Sequence, residues 1–162
     1  MYRVGIITMS DKGSRGERED KSAGAIREVI GSQGWEVTSY RIIPDDLDTI
    51  QETLINYCDQ ECLDLVLTTG GTGLGPRDNT PEATLGVIER VVPGIAEVMR
   101  MESLQKTSRA MLSRAVAGIR HRTLIINLPG SPKAVKECLE AIMPALPHGL
   151  EILTGRGGEC AR

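Results

Sequence analysis

A three-layer α/β/α fold, built as a single domain around a mostly parallel sheet, is predicted by three features of this sequence. Apolar, β-branched runs recur along it, at residues 2–9, 35–43, 64–69 and 123–127. Segments with apolar residues at helical spacing lie between most of them, and glycine or proline marks the junctions. Strands separated by helices need crossover connections, so they pair in parallel and are covered on both faces. In such sheets ligands collect beyond the carboxyl ends of the strands. That leaves four loops as candidates for a site, after Met9, Ile43, Thr69 and Asn127.

Each element follows from local pattern. Residues 2–9 are nearly all apolar, as in a buried strand, and residues 10–19 are polar and glycine-containing, hence a loop. Asp20 suits the N-cap of a helix reaching about residue 32, with Ala23, Ile26, Val29 and Ile30 on one face. Gly34 ends it and residues 35–43 form the second strand. Pro44 stops that strand, and Asp45-Asp46 opens a helix carrying Ile50, Leu54, Ile55 and Cys58 at helical spacing. Residues 64–69 are the third strand. Pro81 starts the next helix in its first turn, where a missing N–H costs least.

Residues 93–106 form a further helix. Its Ile95, Val98, Met99, Met101 and Leu104 fall on more than one face, which predicts a homo-oligomer, because a monomer's surface helix carries one apolar stripe. Residues 115–119 and 123–127 flank a turn. A helix then runs from residue 132 to about 146, with Pro144 and Pro147 marking its end. The segment from residue 154 is glycine-rich and reads as frayed. The expected division is a domain over residues 1–155 and a tail over 156–162.

Composition removes several function classes. The net charge of -3 arises from well-mixed charges, without the basic stripe that nucleic acid requires, and 2% aromatic content supplies no base-stacking platform. No apolar stretch would span a bilayer and residues 1–10 lack the layout of a signal peptide, so a cytoplasmic protein without membrane partners is expected. Cys58, Cys62, Cys138 and Cys160 follow no disulfide framework spacing and read as small thiols in a reducing compartment. Cys58 and Cys62, four apart on a helix, would share a face. His121 and His148 are not spaced to complete a zinc site.

The segment Thr68–Thr84, T-T-G-G-T-G-L-G-P-R-D-N-T-P-E-A-T, carries the chemistry. It follows a buried strand and closes on a helix start. Its glycines can bring bare N–H groups against an anion, and its aspartate places a carboxylate beside them. Gly70 and Gly75 have the spacing of a P-loop, but Pro76-Arg77 stand where Lys-Ser/Thr belongs, and the dinucleotide fingerprint fails as well. Thr80 is the better-placed helix cap, which leaves Asp78 to face the loop. One of Asp45 and Asp46 caps a helix and the other remains for function. A pair of acids from separate strand-end loops suits Mg²⁺, which takes one or two carboxylates plus substrate phosphates.

Two other loops add candidates. Ser10-Asp11-Lys12, with glycines following, can fold over a ligand. Asn127-Leu128-Pro129-Gly130-Ser131 leads into a helix whose free N–H groups favour an anion, and Lys133 in its first turn points the same way. Arg114, after Ser113, can add positive charge. There is no Ser-His-Asp arrangement with sequence support, so a reaction whose nucleophile needs no deprotonation fits best.

These motifs resemble the molybdopterin adenylyltransferase family of molybdenum-cofactor biosynthesis. The match is G-G-T-G-x-x-x-R-D-x-T-P-E-A-T from Gly70. It is supported by S-D-x-x-S-x-G with Asp20 downstream, I-P-D-D at residues 43–46, L-S-R at 112–114 and N-L-P-G-S-P-K at 127–133. The resemblance implies transfer of AMP from ATP to the terminal phosphate of molybdopterin, with release of pyrophosphate. It implies Asp45 and Asp78 as the key carboxylates and Mg²⁺ holders. It implies Ser10, Asp11, Gly70, Gly71, Thr72, Gly73, Arg77, Thr80, Ser113, Arg114, Asn127, Pro129, Gly130, Ser131 and Lys133 as candidate substrate contacts. A homotrimer and a separate molybdate-inserting protein downstream are implied as partners. Two alternatives share the motifs: a molybdopterin-binding carrier or scaffold with little adenylylation, and a nucleotide hydrolase on the same fold.

Overall fold

The computed structural model describes residues 1–156. Its elements, in chain order, are β1 (Arg3–Met9), α1 (Asp11–Ser14), α2 (Lys21–Ser32), β2 (Glu36–Ile43), α3 (Leu47–Ile55), β3 (Leu65–Thr69), α4 (Thr80–Val87), β4 (Arg90–Val91), α5 (Pro93–Leu104), β5 (Ala117–Arg120), β6 (Thr123–Leu128), α6 (Pro132–Ile142) and α7 (Leu146–Thr154). A π-helical turn, Asn56–Gln60, extends α3, and a 3₁₀ turn, Ser108–Leu112, follows α5.

The sheet order is β2-β1-β3-β6-β5-β4. The β1–β2, β1–β3 and β3–β6 pairs are parallel, while β5 and β4 run antiparallel at the far edge. The parallel strands end in register: Met9 is opposite Ile43, Thr8 opposite Thr69, and Thr69 opposite Leu128. The four strand-end loops therefore open side by side on one edge of the sheet. β1 sends its chain outward to β2 while β3 lies on its other side, and a crevice forms at such a switch point.

Side-chain alternation along the strands builds the three layers. Val4 and Ile6 of β1, with Leu65, Leu67, Leu124 and Ile126, pack on α2, α5, α6 and α7. Ile7 and Met9, with Val66 and Ile125, pack on Ile50, Leu54 and Tyr57 from the α3 side and on Ala83 and Val87 of α4. All six residues of β6 are buried, as its apolar run predicts for a strand covered on both faces. Truncating a fully buried residue such as Ile26 to alanine would cost about 2–5 kcal/mol.

The caps follow the sequence in two places. Asp20 accepts from Ala23 N at 3.0 Å to start α2, and Asp46 accepts from Thr49 N at 2.9 Å to start α3. Elsewhere the fold corrects the local reading. The loop after β1 opens with the short α1. Thr80 is not a cap but the first residue of α4, after Asn79, and its side chain is wholly buried. The helix expected to reach residue 146 stops at Ile142. Pro147 then sits in the first turn of a separate helix, α7, whose Leu146 and Leu150 complete the core. Thr154, assigned to the frayed tail, closes α7 with its hydroxyl donating to Leu150 O at 2.7 Å. Cys62 lies past the π-turn with φ of 50°, exposed, so it does not share a face with buried Cys58, whose thiol burial pushes up to about 11. Cys160 and nearly all of the tail lie outside the described residues.

Candidate functional site

A cleft of about 910 Å³ opens over the carboxyl ends of β1 and β3, within the size range of small-molecule sites. The glycine loop forms one wall. Gly70 and Gly71 have φ of +94° and +69°, in the left-handed region that only glycine enters freely. A Cβ on Gly70 would lie 2.7 Å from Met9 O, and one on Gly71 would lie 3.3 Å from Asp45 Oδ1. Further along, Cβ atoms on Gly73 or Gly75 would each lie 2.9 Å from Asp78 Oδ2. The Asp45 and Asp78 carboxylates are therefore packed directly against glycine backbone.

The loop's carbonyls are engaged by the protein body. Thr80 Oγ1 donates to Gly70 O at 2.9 Å and Thr80 N to Gly71 O at 3.1 Å. Arg114 holds the next turn: its N donates to Thr72 O at 2.9 Å, its Nε to Gly73 O at 2.7 Å and its Nη2 to Asp78 O at 2.7 Å, while Nη1 pairs with Glu82. Asp78 Oδ2 accepts from Gly75 N at 2.8 Å. Among the described residues, the N–H groups of Gly71, Thr72 and Gly73 have no protein acceptor. A turn with its carbonyls tied down and successive N–H groups free is a fitting anion cradle.

Opposite the loop, the ends of β1 and β2 are joined through two aspartates. Asp11 N donates to Asp45 Oδ2 at 3.1 Å, and Asp45 N donates to Asp11 Oδ1 at 3.0 Å. Arg77 reaches across from the glycine loop, its Nη2 2.9 Å from Asp11 Oδ1 and its Nε 3.2 Å from Oδ2. That guanidinium, with the Asp45 amide, holds the Asp11 carboxyl below the usual carboxylate range. Asp45 behaves oppositely. Burial raises its pKa, and the like charges of Asp11 and Asp78 add to the rise against the opposing amide bond and Arg77. Asn79 Nδ2 also donates to Asp45 O at 3.1 Å, tying the third loop to the second.

The structure brings together most of the residues singled out from sequence. Asp45, Asp78, Ser10, Gly70, Gly71, Gly130 and Ser131 line the cleft. Asp11, Arg77, Thr80 and Arg114 support it through the bonds above. Thr72, Gly73, Ser113 and Pro129 instead line a smaller cavity of about 270 Å³ beside α5 and α6. Asn127 lines neither. It is fully buried, its Nδ2 donating to Thr68 and Thr84 hydroxyls at 3.0 and 2.9 Å and its Oδ1 accepting from Val116 N. Lys133 is exposed and also lines neither.

One group was missed. Asp20, read only as a helix cap, also lines the cleft, and its Oδ2 accepts from Thr8 Oγ1 at 2.6 Å and from Tyr40. Ser22, two residues on, donates to Gly130 O at 2.6 Å and binds the start of α2 to the loop after β6. Asp20's place just downstream of the S-D-x-x-S-x-G segment was the available signal.

Residues 5–148 match the protein family described as a probable molybdopterin binding domain. A molybdopterin adenylyltransferase of Helicobacter pylori (strain J99) is 47% identical over 154 residues, covering 94% of this chain and 88% of that protein. One from Escherichia coli (strain K12) is 44% identical over 155 residues, covering 91% and 79%. Among solved structures, the molybdopterin biosynthesis enzyme MoaB of Thermus thermophilus is similar with a TM-score of 0.91 at 57% identity, covering 96% of this chain and 98% of that one. The likeness runs from β1 into α7, through every strand-end loop that builds the cleft, and the chain belongs to the probable molybdopterin binding domain family.

Proposed function

We propose that this chain is a molybdopterin adenylyltransferase, transferring AMP from ATP to the terminal phosphate of molybdopterin and releasing pyrophosphate. The observation that carries the reading is the glycine loop folded against two carboxylates, Asp45 and Asp78, beside free backbone N–H groups. Relatives at 44–47% identity named for this activity support it.

The chemistry asks little of side-chain bases. A phosphate monoester has a second pKa of about 6, so it is largely dianionic at neutral pH and attacks without losing a proton. The protein must hold two anionic substrates in line and offset their charge. The amide of Gly71, on the wall of the cleft, serves one phosphate-bearing group. Ser131 and the start of α6 serve a second, since a helix N-terminus favours an anion. Gly71 and Ser131 line the same cleft, so the two groups can meet there.

Asp45 and Asp78 are suited to Mg²⁺. Both offer hard oxygen donors, and the like charge of Asp78 near half-buried Asp45 is charge that a divalent cation offsets. When bound, the ion supplies electrostatic stabilisation of phosphate charge. Asp45 Oδ2 and Asp78 Oδ2 are already bonded to backbone amides, so the protein presents the Oδ1 atoms.

A trimer also belongs to this proposal. Val98, Met101 and Leu104 of α5 stay 43%, 66% and 44% exposed on a helix whose Ala96 and Met99 are buried, and a subunit contact would cover them. So do a cytoplasmic location and a separate molybdate-inserting partner. Among the described residues no helix is long and apolar enough to cross a membrane.

Purified protein, Mg²⁺-ATP and molybdopterin test the activity. Adenylyl-molybdopterin and pyrophosphate should form in equal amounts. Pterin binding without turnover, or ATP hydrolysis that ignores the pterin, overturns it.

A further inference from the structure

Asp11 follows β1 and Asp45 follows β2, so 34 residues separate them, yet each one's backbone N–H donates to the other's carboxylate. The two strand ends are thus closed into a ring. The register that sets Met9 opposite Ile43 makes this possible, and Ser10 N donating to Ile43 O at 2.9 Å extends the ladder one step further. The ring determines what Asp45 can offer. Its Oδ2 is occupied by the Asp11 amide, and its Oδ1 is the atom packed against Gly71.

Both oxygens of Asp11, by contrast, are engaged within the protein. Oδ1 accepts from Asp45 N and from Arg77 Nη2, and Oδ2 accepts from Arg77 Nε. A carboxylate so committed has an internal task, and it also stands beside a negative neighbour, which makes it a poor contact for an anionic substrate.

We infer that Asp11 is a positioning residue: its side chain fixes the backbone of Asp45, and hence the oxygen Asp45 presents, while Arg77 clamps Asp11 in place. This rests on the adenylyltransferase reading only for its kinetic consequence. The acceptor at Oδ1, rather than the charge, is what the role requires. Asparagine can supply it and alanine cannot.

The test compares Asp11→Ala with Asp11→Asn. Asp11 belongs to neither hydrophobic core, so truncation leaves both intact. Hydrogen exchange at the Asp45 amide is read first, in the protein without substrates. It should speed up at least about tenfold in Asp11→Ala, as a lost hydrogen bond worth about 1.4 kcal/mol implies, and stay near wild type in Asp11→Asn. In adenylyl transfer, Asp11→Ala should lower kcat on the order of 100-fold with KM for ATP little changed, as for misplacement of a catalytic group, and Asp11→Asn should recover most of it. Unchanged exchange at Asp45 in Asp11→Ala overturns the inference. So does an Asp11→Asn as impaired as the alanine variant, or a rise in KM at constant kcat, which marks a substrate ligand. If the wild-type protein transfers no AMP, the functional reading fails while the exchange measurement still decides the role of Asp11.

Discussion

Gly71 and Thr80 are in such close contact that a Cβ on the glycine would overlap the threonine Oγ1. That hydroxyl donates to Gly70 O, so the glycine's bareness and the threonine's hydrogen bond depend on each other. Gly71 also has φ of +69°. Gly71→Ala therefore combines left-handed strain of about 1–2 kcal/mol with displacement of Thr80. Urea denaturation should register a loss of at least that size, and binding of a phosphate-bearing substrate should weaken with it. A variant as stable as wild type would show that the loop relaxes at no cost.

Asp78 separates charge from shape. Its Oδ2 accepts from Gly75 N, an acceptor that Asp78→Asn keeps. The asparagine variant should fold and melt like wild type but lose adenylyl transfer by orders of magnitude. Asp78→Ala should lose the same activity and, in addition, about 1 kcal/mol of stability from the orphaned loop amide. Near-normal turnover of Asp78→Asn at saturating Mg²⁺ would remove Asp78 from the metal site.

Asp45 predicts a trade between stability and activity. Its folded-state pKa is raised above the ordinary value of 3.8, by burial first. Between those two values the folded state binds more protons than the unfolded state, so this group's contribution to stability falls as pH rises through the window. Above it the penalty is complete. Asp45→Asn should therefore melt higher than wild type at neutral pH in chelator, and the advantage should vanish as pH falls below 3.8. Calorimetry across that range checks the sign, and the same variant should be inactive.

Assembly is read from α5. Met101, 66% exposed, is the most open apolar side chain on that helix. Met101→Glu should leave the monomer's core intact and shift the protein toward monomer if the outer face is a subunit contact. Light scattering of wild type and variant gives the answer, and a monomeric wild type at micromolar concentration would contradict the trimer.

Much of this protein was legible from sequence because the signals are local. The runs that became β1, β3 and β6, the caps Asp20 and Asp46, and the proline at the start of α4 each depend on neighbours a few residues away. The choice between Asp45 and Asp46 was partly local too, since only one could meet Thr49 N. α7 escaped because two prolines within four residues read as an end, whereas the second begins a helix that Leu146 and Leu150 anchor in the core.

The division of labour within the site is a different matter. Asn127 stands in the loop-adjacent motif, yet its side chain turns inward to Thr68 and Thr84. Arg114 reads as an exposed cation, yet it braces the glycine loop from behind, 41 residues from Gly73. Asp11 reads as a ligand contact, yet it is tied to Asp45. The sequence by itself determined β1, β2, β3, β6 and the glycine loop, because those follow from periodicity and backbone freedom within short windows. Which carboxylate is free, which is clamped and which polar group is buried were decided only when strand register brought distant loops within hydrogen-bond distance.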